Sequence, residues 1–257
     1  MSLTQEGKVL EDYARRALKE IEAAKMELTS KDGALKGTVH IGILASLSEL
    51  LSVALMRVMK KKFPDVNLKI SVGYSGHLKE WLEAGEIDLA LLYDSVPSKF
   101  IDSHQIVAEQ LWLIGPYSSD LHQSKAVELA EISELPLILP YSPHQLRFLI
   151  DHGFQIEKLD LKIAAEINDL NVQKQLVKEG LGYTILPLVA VKSDLQQKTI
   201  KVAPIQHTEF SRNIAIALPN TRHISKLVHV IAGETFNCCK IAIETKAWLG
   251  GSWISDR

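Results

Sequence analysis

The sequence predicts an α/β protein of two hinged lobes, preceded by a long helix. Three observations predict it. Between Gly37 and Asp94, short apolar runs alternate with helical periodicity in the order strand, helix, strand, helix, strand. The same alternation restarts at Leu135. Residues 4–30, by contrast, form a single helical pattern.

In that leading pattern, Leu10, Ala14, Ala17, Ile21, Ala24 and Leu28 recur at alternating steps of four and three, which is a heptad seam. The other faces carry Glu6, Lys8, Glu11, Arg15, Arg16, Lys19, Glu20 and Lys25. A narrow apolar stripe between charged faces suits a helix that pairs with a second helix, and these six residues are the expected dimerisation contacts. An amphipathic helix packed on its own domain is the alternative. Ser30 to Gly33 read as a hinge into the compact part.

Gly37–Leu44 is short, β-branched and apolar, as expected of a parallel strand covered by helices on both faces. Leu50, Leu51, Ala54, Leu55, Val58 and Met59 then predict a helix to Lys62, capped by Ser46 or Ser48. Val66–Val72 is a second strand, Ser75 opens a helix holding Leu78, Trp81 and Leu82, and Ile87–Leu92 is a third strand. Ser103 to Gly115 reads as two extended segments, with the chain crossing between lobes near Gly115.

The second lobe follows the same plan. A short helix starts over Val127–Ala130, Leu135–Pro140 is a strand, and Tyr141 to His144 open a helix through Leu146, Leu149 and Ile150. Leu161–Ile167 is a strand, and Asn168 with Asp169 caps a helix to Lys178. Tyr183–Leu186 is a further strand, after which Pro187 starts a short helix. Thr199–Ile205 and Ser211–Leu218 are late strands. The chain recrosses near His207, and His223–Lys246 is a long helix whose inward face carries Leu227, Ile231 and Ala232. The expected division is a linker helix over 4–32, lobe I over 37–115 and 208–248, and lobe II over 116–207, with a cleft between the lobes.

Composition narrows the function. The 257 residues contain 46% hydrophobic side chains, enough for a real core, and a net charge of -2. A chain that neutralised nucleic-acid phosphates would carry a basic excess, so any DNA contact is expected from elsewhere. Cys238 and Cys239 are adjacent and match no zinc spacing, which points to a reducing, intracellular setting. The apolar runs are too short for a membrane span and there is no export signal, so a soluble, cytoplasmic protein is expected. Gly73 to His77 approaches a nucleophile elbow but has His77 where the second glycine belongs. Gly180 and Gly182 lack the third glycine of a dinucleotide turn, and Lys60, Lys61 and Lys62 are cations at a helix end, expected to be merely solvated. Neither a metal motif nor an acid, base and nucleophile set is present.

What remains is the edge beyond the strand ends, where helix N–H groups and cap hydroxyls gather. Those groups suit a small molecule bearing a carboxylate or another anion, although serines at helix starts are equally the residue type of simple N-caps.

The chain resembles the LysR-type transcriptional regulators, specifically their linker helix and effector-binding domain, from Leu3 to about Trp248. The resemblance is carried by Leu3 to Gly7, by Gly37 to Gly42, by Ser75 to Leu82 with Gly85 to Asp94, and by Leu135 to Pro140 with Pro143, His144 and Val177 to Pro187. Ser75 to Leu78 and Pro143 with His144 are most similar to the branch containing nitrogen-assimilation-control regulators, while Gln145 stands where a glycine is more usual. The resemblance implies two Rossmann-like lobes of periplasmic-binding-protein type and a cytoplasmic homodimer or homotetramer that uses no cofactor. It also implies DNA contact only through an N-terminal winged helix outside this sequence. Carried over by position, the effector contacts are Ser46, Leu47, Ser48, Ser75 and Gly76 in the first lobe and Tyr141, Ser142, His144 and Asn168 in the second. Ser46→Ala and Ser75→Ala are expected to weaken effector binding at little cost to the fold. The rivals are a solute-binding protein of transport, which shares the two-lobed plan, and an enzyme using the same cleft.

Overall fold

The computed structural model describes residues 3–7, 10, 11, 13, 14, 17, 18, 21, 35–93 and 98–254. The described part of the leading helix is helical at Gln5 to Gly7, Leu10, Glu11, Tyr13, Ala14, Ala17, Leu18 and Ile21. The seam residues Leu10, Ala14, Ala17 and Ile21 are exposed there, Leu10 at 70%, while Ala24, Leu28 and the hinge at Ser30 to Gly33 lie outside the described residues. The rest of the chain divides into two compact units: 35–44, 48–106 and 215–241 in the first, and 45–47, 107–214 and 242–254 in the second.

The first unit holds β1 (Gly37–Leu44), α1 (Ser48–Lys62), β2 (Val66–Gly73), α2 (Ser75–Ala84) and β3 (Leu89–Tyr93). β1 is central and parallel to both neighbours, with Gly37 to Leu44 matched to Val66 to Gly73 and Ile41 to Leu89. Val39, Ile41 and Ile43 are fully buried, as are Leu51 and Leu55 of α1 and Leu78 and Leu82 of α2. Gly42 lets α2 lie close to the sheet, because a Cβ there would stand 2.7 Å from Ile87 and 2.9 Å from Leu78. α2 ends on Gly85 at φ 76°, with Gly85 N–H donating to Leu82 and Glu86 N–H to the carbonyl of Trp81.

The third strand starts two residues later than the apolar run suggests. Asp88 is drawn into a local arrangement in which its amide donates to His40 O at 2.7 Å and its carboxylate accepts from His40 N at 2.8 Å. Arg222 closes that corner by donating to Ile87 O at 2.9 Å. Lys62 is also not merely solvated: its ammonium donates to Glu234 at 2.9 Å, joining the end of α1 to α7 (Lys226–Glu244). Leu227, Ile231 and Ala232 of α7 are buried as expected.

The stretch expected as two segments is one strand, β4 (Ile101–Pro116). It continues because different partners hold successive parts of it. In the second unit, Val107 to Glu109 pair antiparallel with β10 (Gly251–Trp253), a strand the sequence reading missed. Leu111 to Pro116 pair antiparallel with β7 (Thr184–Pro187) and β8 (Ile200–Pro204) on opposite edges. The second lobe, expected to repeat the parallel plan of the first, is therefore corrected to a mixed arrangement. β5 (Leu137–Leu139) and β6 (Ile163–Glu166) form a parallel ladder, joined to the start of β7 by a parallel Leu137–Tyr183 bridge.

The remaining elements of this unit are α3 (Leu129–Ser133), α4 (Gln145–Ile156), α5 (Leu170–Lys178), α6 (Lys192–Gln196) and β9 (Ser211–Pro219), which continues into the first unit. α3 starts two residues beyond Val127 because Val127 bridges Ile205 and donates its amide to Pro204 O. Pro187 closes β7 instead of opening an α-helix, and a 3₁₀ turn, Leu188–Val191, follows it. The core gathers Leu111, Leu113, Leu137, Leu139, Ile150, Phe154, Ile185 and Phe210. Phe154 and Phe210 meet edge to face at 6.2 Å, and a Cβ on Gly153 would stand 2.6 Å from Phe210, so α4 lies against that ring only because residue 153 has no side chain.

Glu109 with Arg212, and Asp194 with two lysines, form ionic groupings largely withdrawn from water in this unit. Glu109 on β4 is 2% exposed and accepts from Arg212 at 3.2 Å. Burial pushes its carboxyl above the usual range, and Arg212 offsets that only in part. On α5, Lys174 and Lys178 both reach Asp194 of α6, Lys174 at 2.9 Å, and Lys174 also donates to Ala190 O at 3.2 Å. Burial would raise the Asp194 carboxyl, but the hydrogen bonds from Lys178 and Lys174 outweigh it and hold it below the ordinary value.

Candidate functional site

In the first unit, the three parallel strands end at Leu44, Gly73 and Tyr93. Ser48 is the first residue of α1, so the helix starts at the residue expected to cap it. Beyond β2, Tyr74 takes the N-cap position of α2 without a side-chain hydrogen bond to the cap. Ser75 is not the cap. It is 3% exposed, and its Oγ accepts the amide of Tyr93 at 3.1 Å, tying the start of α2 to the end of β3. The hydroxyl keeps one hydrogen to donate. Nothing lies within 4 Å of where a Cβ on Gly76 would be, so the first turn of α2 is open at that point. His77 stacks on Trp81 at 6.1 Å along the same helix.

Ser46 and Leu47 lie in a 3₁₀ turn, Ala45–Leu47, that belongs to the second unit, where it lies against Leu188–Val191. Leu47 is fully buried and Ser46 partly so. The other candidates in this unit collect where β5 and β6 end. Tyr141 is half-exposed, Ser142 is exposed, and the Ser142–Pro143 peptide is cis. His144 caps α4, its Nδ1 accepting from Leu146 N at 3.1 Å. Asn168 is not the cap of α5. That role falls to Asp169, whose carboxylate accepts from Val172 N at 2.9 Å, while Asn168 Oδ1 accepts from Tyr141 N at 2.9 Å. The structure thus joins Asn168 to Tyr141, the first residue of the turn that also carries Ser142 and His144.

A residue the sequence reading missed completes this corner. Arg147 of α4 donates to Asp151 at 2.7 Å, to Glu166 at the end of β6, and to Pro140 O at 3.3 Å. Partial burial works against its charge, but the two carboxylates more than offset it and raise the guanidinium further above its ordinary value. The Arg147 and Asp151 spacing of four on a helix was a visible signal; Glu166 and Pro140 O were not. Among the described residues, no group of three or more His, Cys, Asp or Glu is placed to hold a metal ion, and no helix is long and apolar enough to cross a membrane.

The sequence model of one family, described as the LysR substrate binding domain, matches residues 32–233 and so takes in both units. The chain belongs to that family. Among LysR-type relatives, the nitrogen assimilation regulatory protein nac of Klebsiella aerogenes is 27% identical over 191 residues, covering 74% of this chain and 62% of that protein. This chain therefore spans less than two thirds of that relative's length. Solved LysR-type structures agree in fold. A C206 mutant of OxyR from Corynebacterium glutamicum superposes with a TM-score of 0.73 at 19% identity, covering 96% of this chain and 77% of that one. The effector binding domain of QuiR in complex with shikimate superposes with a TM-score of 0.71 at 18% identity, covering 80% of this chain and 99% of that one.

Proposed function

We propose that this chain is the effector-sensing and oligomerising part of a LysR-type, DNA-binding transcriptional regulator. The observation that carries the reading is the family match across both units, which favours a regulator over a solute-binding protein of transport. A small, anionic metabolite is bound by turns that lead into helix starts, with Ser46, Leu47, Ser48, Ser75 and Gly76 as one set of candidate contacts and Tyr141, Ser142, His144 and Asn168 as the other. Peptide N–H groups and hydroxyls at such starts favour negative charge, and the QuiR domain with shikimate is a fold relative with a small molecule bound.

The chain acts by binding and not by bond-making, uses no cofactor, and works in the cytoplasm. The ligand shifts a pre-existing conformational equilibrium by its differential affinity for the two states. The leading helix passes that shift to a homodimer or homotetramer through Leu10, Ala14, Ala17, Ile21, Ala24 and Leu28. DNA is contacted by a winged helix outside this chain, which the net charge of -2 and the greater length of the nac relative both favour.

A thermal-shift screen of small carboxylates and phosphates, followed by calorimetry on any hit, tests the sensing reading. Binding that is lost in Ser46→Ala supports it; turnover of the bound compound, or a monomer by light scattering, overturns it.

A further inference from the structure

The peptide group joining Pro140 to Tyr141 is held at both ends. Its carbonyl accepts from Arg147 Nη1 at 3.3 Å, and its N–H donates to Asn168 Oδ1 at 2.9 Å. A peptide plane bonded at one end can still rotate about its long axis; one bonded at both ends turns only by giving up two partners. Each clamp residue is itself fixed. Arg147 is braced by Asp151 and Glu166, and Asn168 follows directly on Ile167, whose amide donates to Leu139 O at 2.8 Å. The bond from Tyr141 N–H also sets which end of the Asn168 amide faces the turn, since an N–H donor requires the oxygen.

We infer that Arg147 and Asn168 are positioning residues that lock the Pro140–Tyr141 peptide, and through it the direction in which the Tyr141 to His144 turn leaves β5. The inference rests on the reading of that turn as ligand-facing, and it changes the role of Asn168 within it. The asparagine acts on the ligand through Tyr141 and not by touching it. Two chemically opposite substitutions separate the roles. Asn168→Asp keeps an acceptor for Tyr141 N–H and adds a negative charge, whereas Asn168→Ala removes the acceptor. A positioning residue tolerates Asp and not Ala, whereas a residue bonding an anion through its NH₂ group loses that bond in both and suffers more from Asp, whose charge repels the anion.

The clamp is testable without a ligand, by amide hydrogen exchange on the ¹⁵N-labelled chain. Tyr141 N–H is expected to exchange about tenfold faster in Asn168→Ala, the effect of losing one ordinary hydrogen bond, and at the original rate in Asn168→Asp, with Leu146 and Ile167 unchanged in both. Arg147→Met should shift the Tyr141 ¹⁵N resonance, because the preceding carbonyl loses its donor. Equal Tyr141 exchange in wild type and Asn168→Ala, or equally fast exchange in Asn168→Asp and Asn168→Ala, overturns the inference. Titration with inorganic phosphate, read at the Ser142 amide, then tests the coupling. A response kept in Asn168→Asp and weakened in Asn168→Ala supports it; a response weakened in both, and more in Asn168→Asp, makes Asn168 a direct contact and overturns it. No response in the wild type counts against the anion-site reading alone, since the exchange rates have already decided the clamp.

Discussion

Tyr93 donates its amide to Ser75 Oγ at 3.1 Å, so a side chain expected to contact a ligand or to cap a helix instead satisfies a strand end. Ser75→Ala would leave a buried N–H without its partner, at a cost of about 1–3 kcal/mol. Chemical denaturation should therefore show a lower midpoint for Ser75→Ala at an unchanged m-value. A midpoint equal to wild type would mean that Tyr93 N–H finds water or another acceptor. Affinity lost in this variant has to be corrected for the stability change before it is assigned to the ligand.

Glu109 and Arg212 give a prediction in which two substitutions do less harm than one. Removing either partner of a buried pair strands the other charge and costs about 3–5 kcal/mol, while replacing both with apolar side chains is often neutral. Glu109→Met and Arg212→Met are each expected to lower stability by that order, and the double variant to recover most of the loss. A strictly additive double variant would show that the pair is not coupled.

The Asp194 cluster predicts a weakness in acid. Its carboxyl is held below the ordinary value in the folded chain, so its contribution to stability is complete above the unfolded value of about 3.9 and fades as pH falls through the folded one. Acid titration followed by circular dichroism should show wild type losing stability below about pH 4. Asp194→Asn should be less stable at neutral pH and flatter across that window. Parallel acid curves for the two proteins would remove Asp194 from the account.

Cys238 and Cys239 should be unreactive in the folded state. Both are buried on α7, and burial raises both thiols, so little thiolate forms at neutral pH. A thiol reagent such as DTNB should label neither until denaturant is added, then label two per chain. Rapid labelling of the native protein would show that this part of the helix opens.

The fold was legible where burial alone decides the element. β1 keeps the bounds that its β-branched run sets, Gly37–Leu44, and β2 differs by one residue, because the largely buried run of β1 and the apolar–polar alternation of β2 each mark a strand without help from a distant partner. Legibility failed where a distant partner decides. β10 is three residues with no period of its own and exists because β4 offers it an edge. The apparent break in β4 vanishes for the same reason. Asp169 wins the cap of α5 because Asn168 is spent on Tyr141, 27 residues away, which local spacing does not reveal. At the site, the turns were readable as turns; which atoms each side chain has left to offer was not.

Gly153 gives one last consequence. It is the absent methyl at this position that lets α4 settle on Phe210, and the same helix begins at the His144 cap. A single added carbon there would lever the helix from its far side, loosening the turn proposed to face a ligand without altering any group within it. If that turn binds, the position offers a dial on the response that a screen confined to the proposed contacts would never sample.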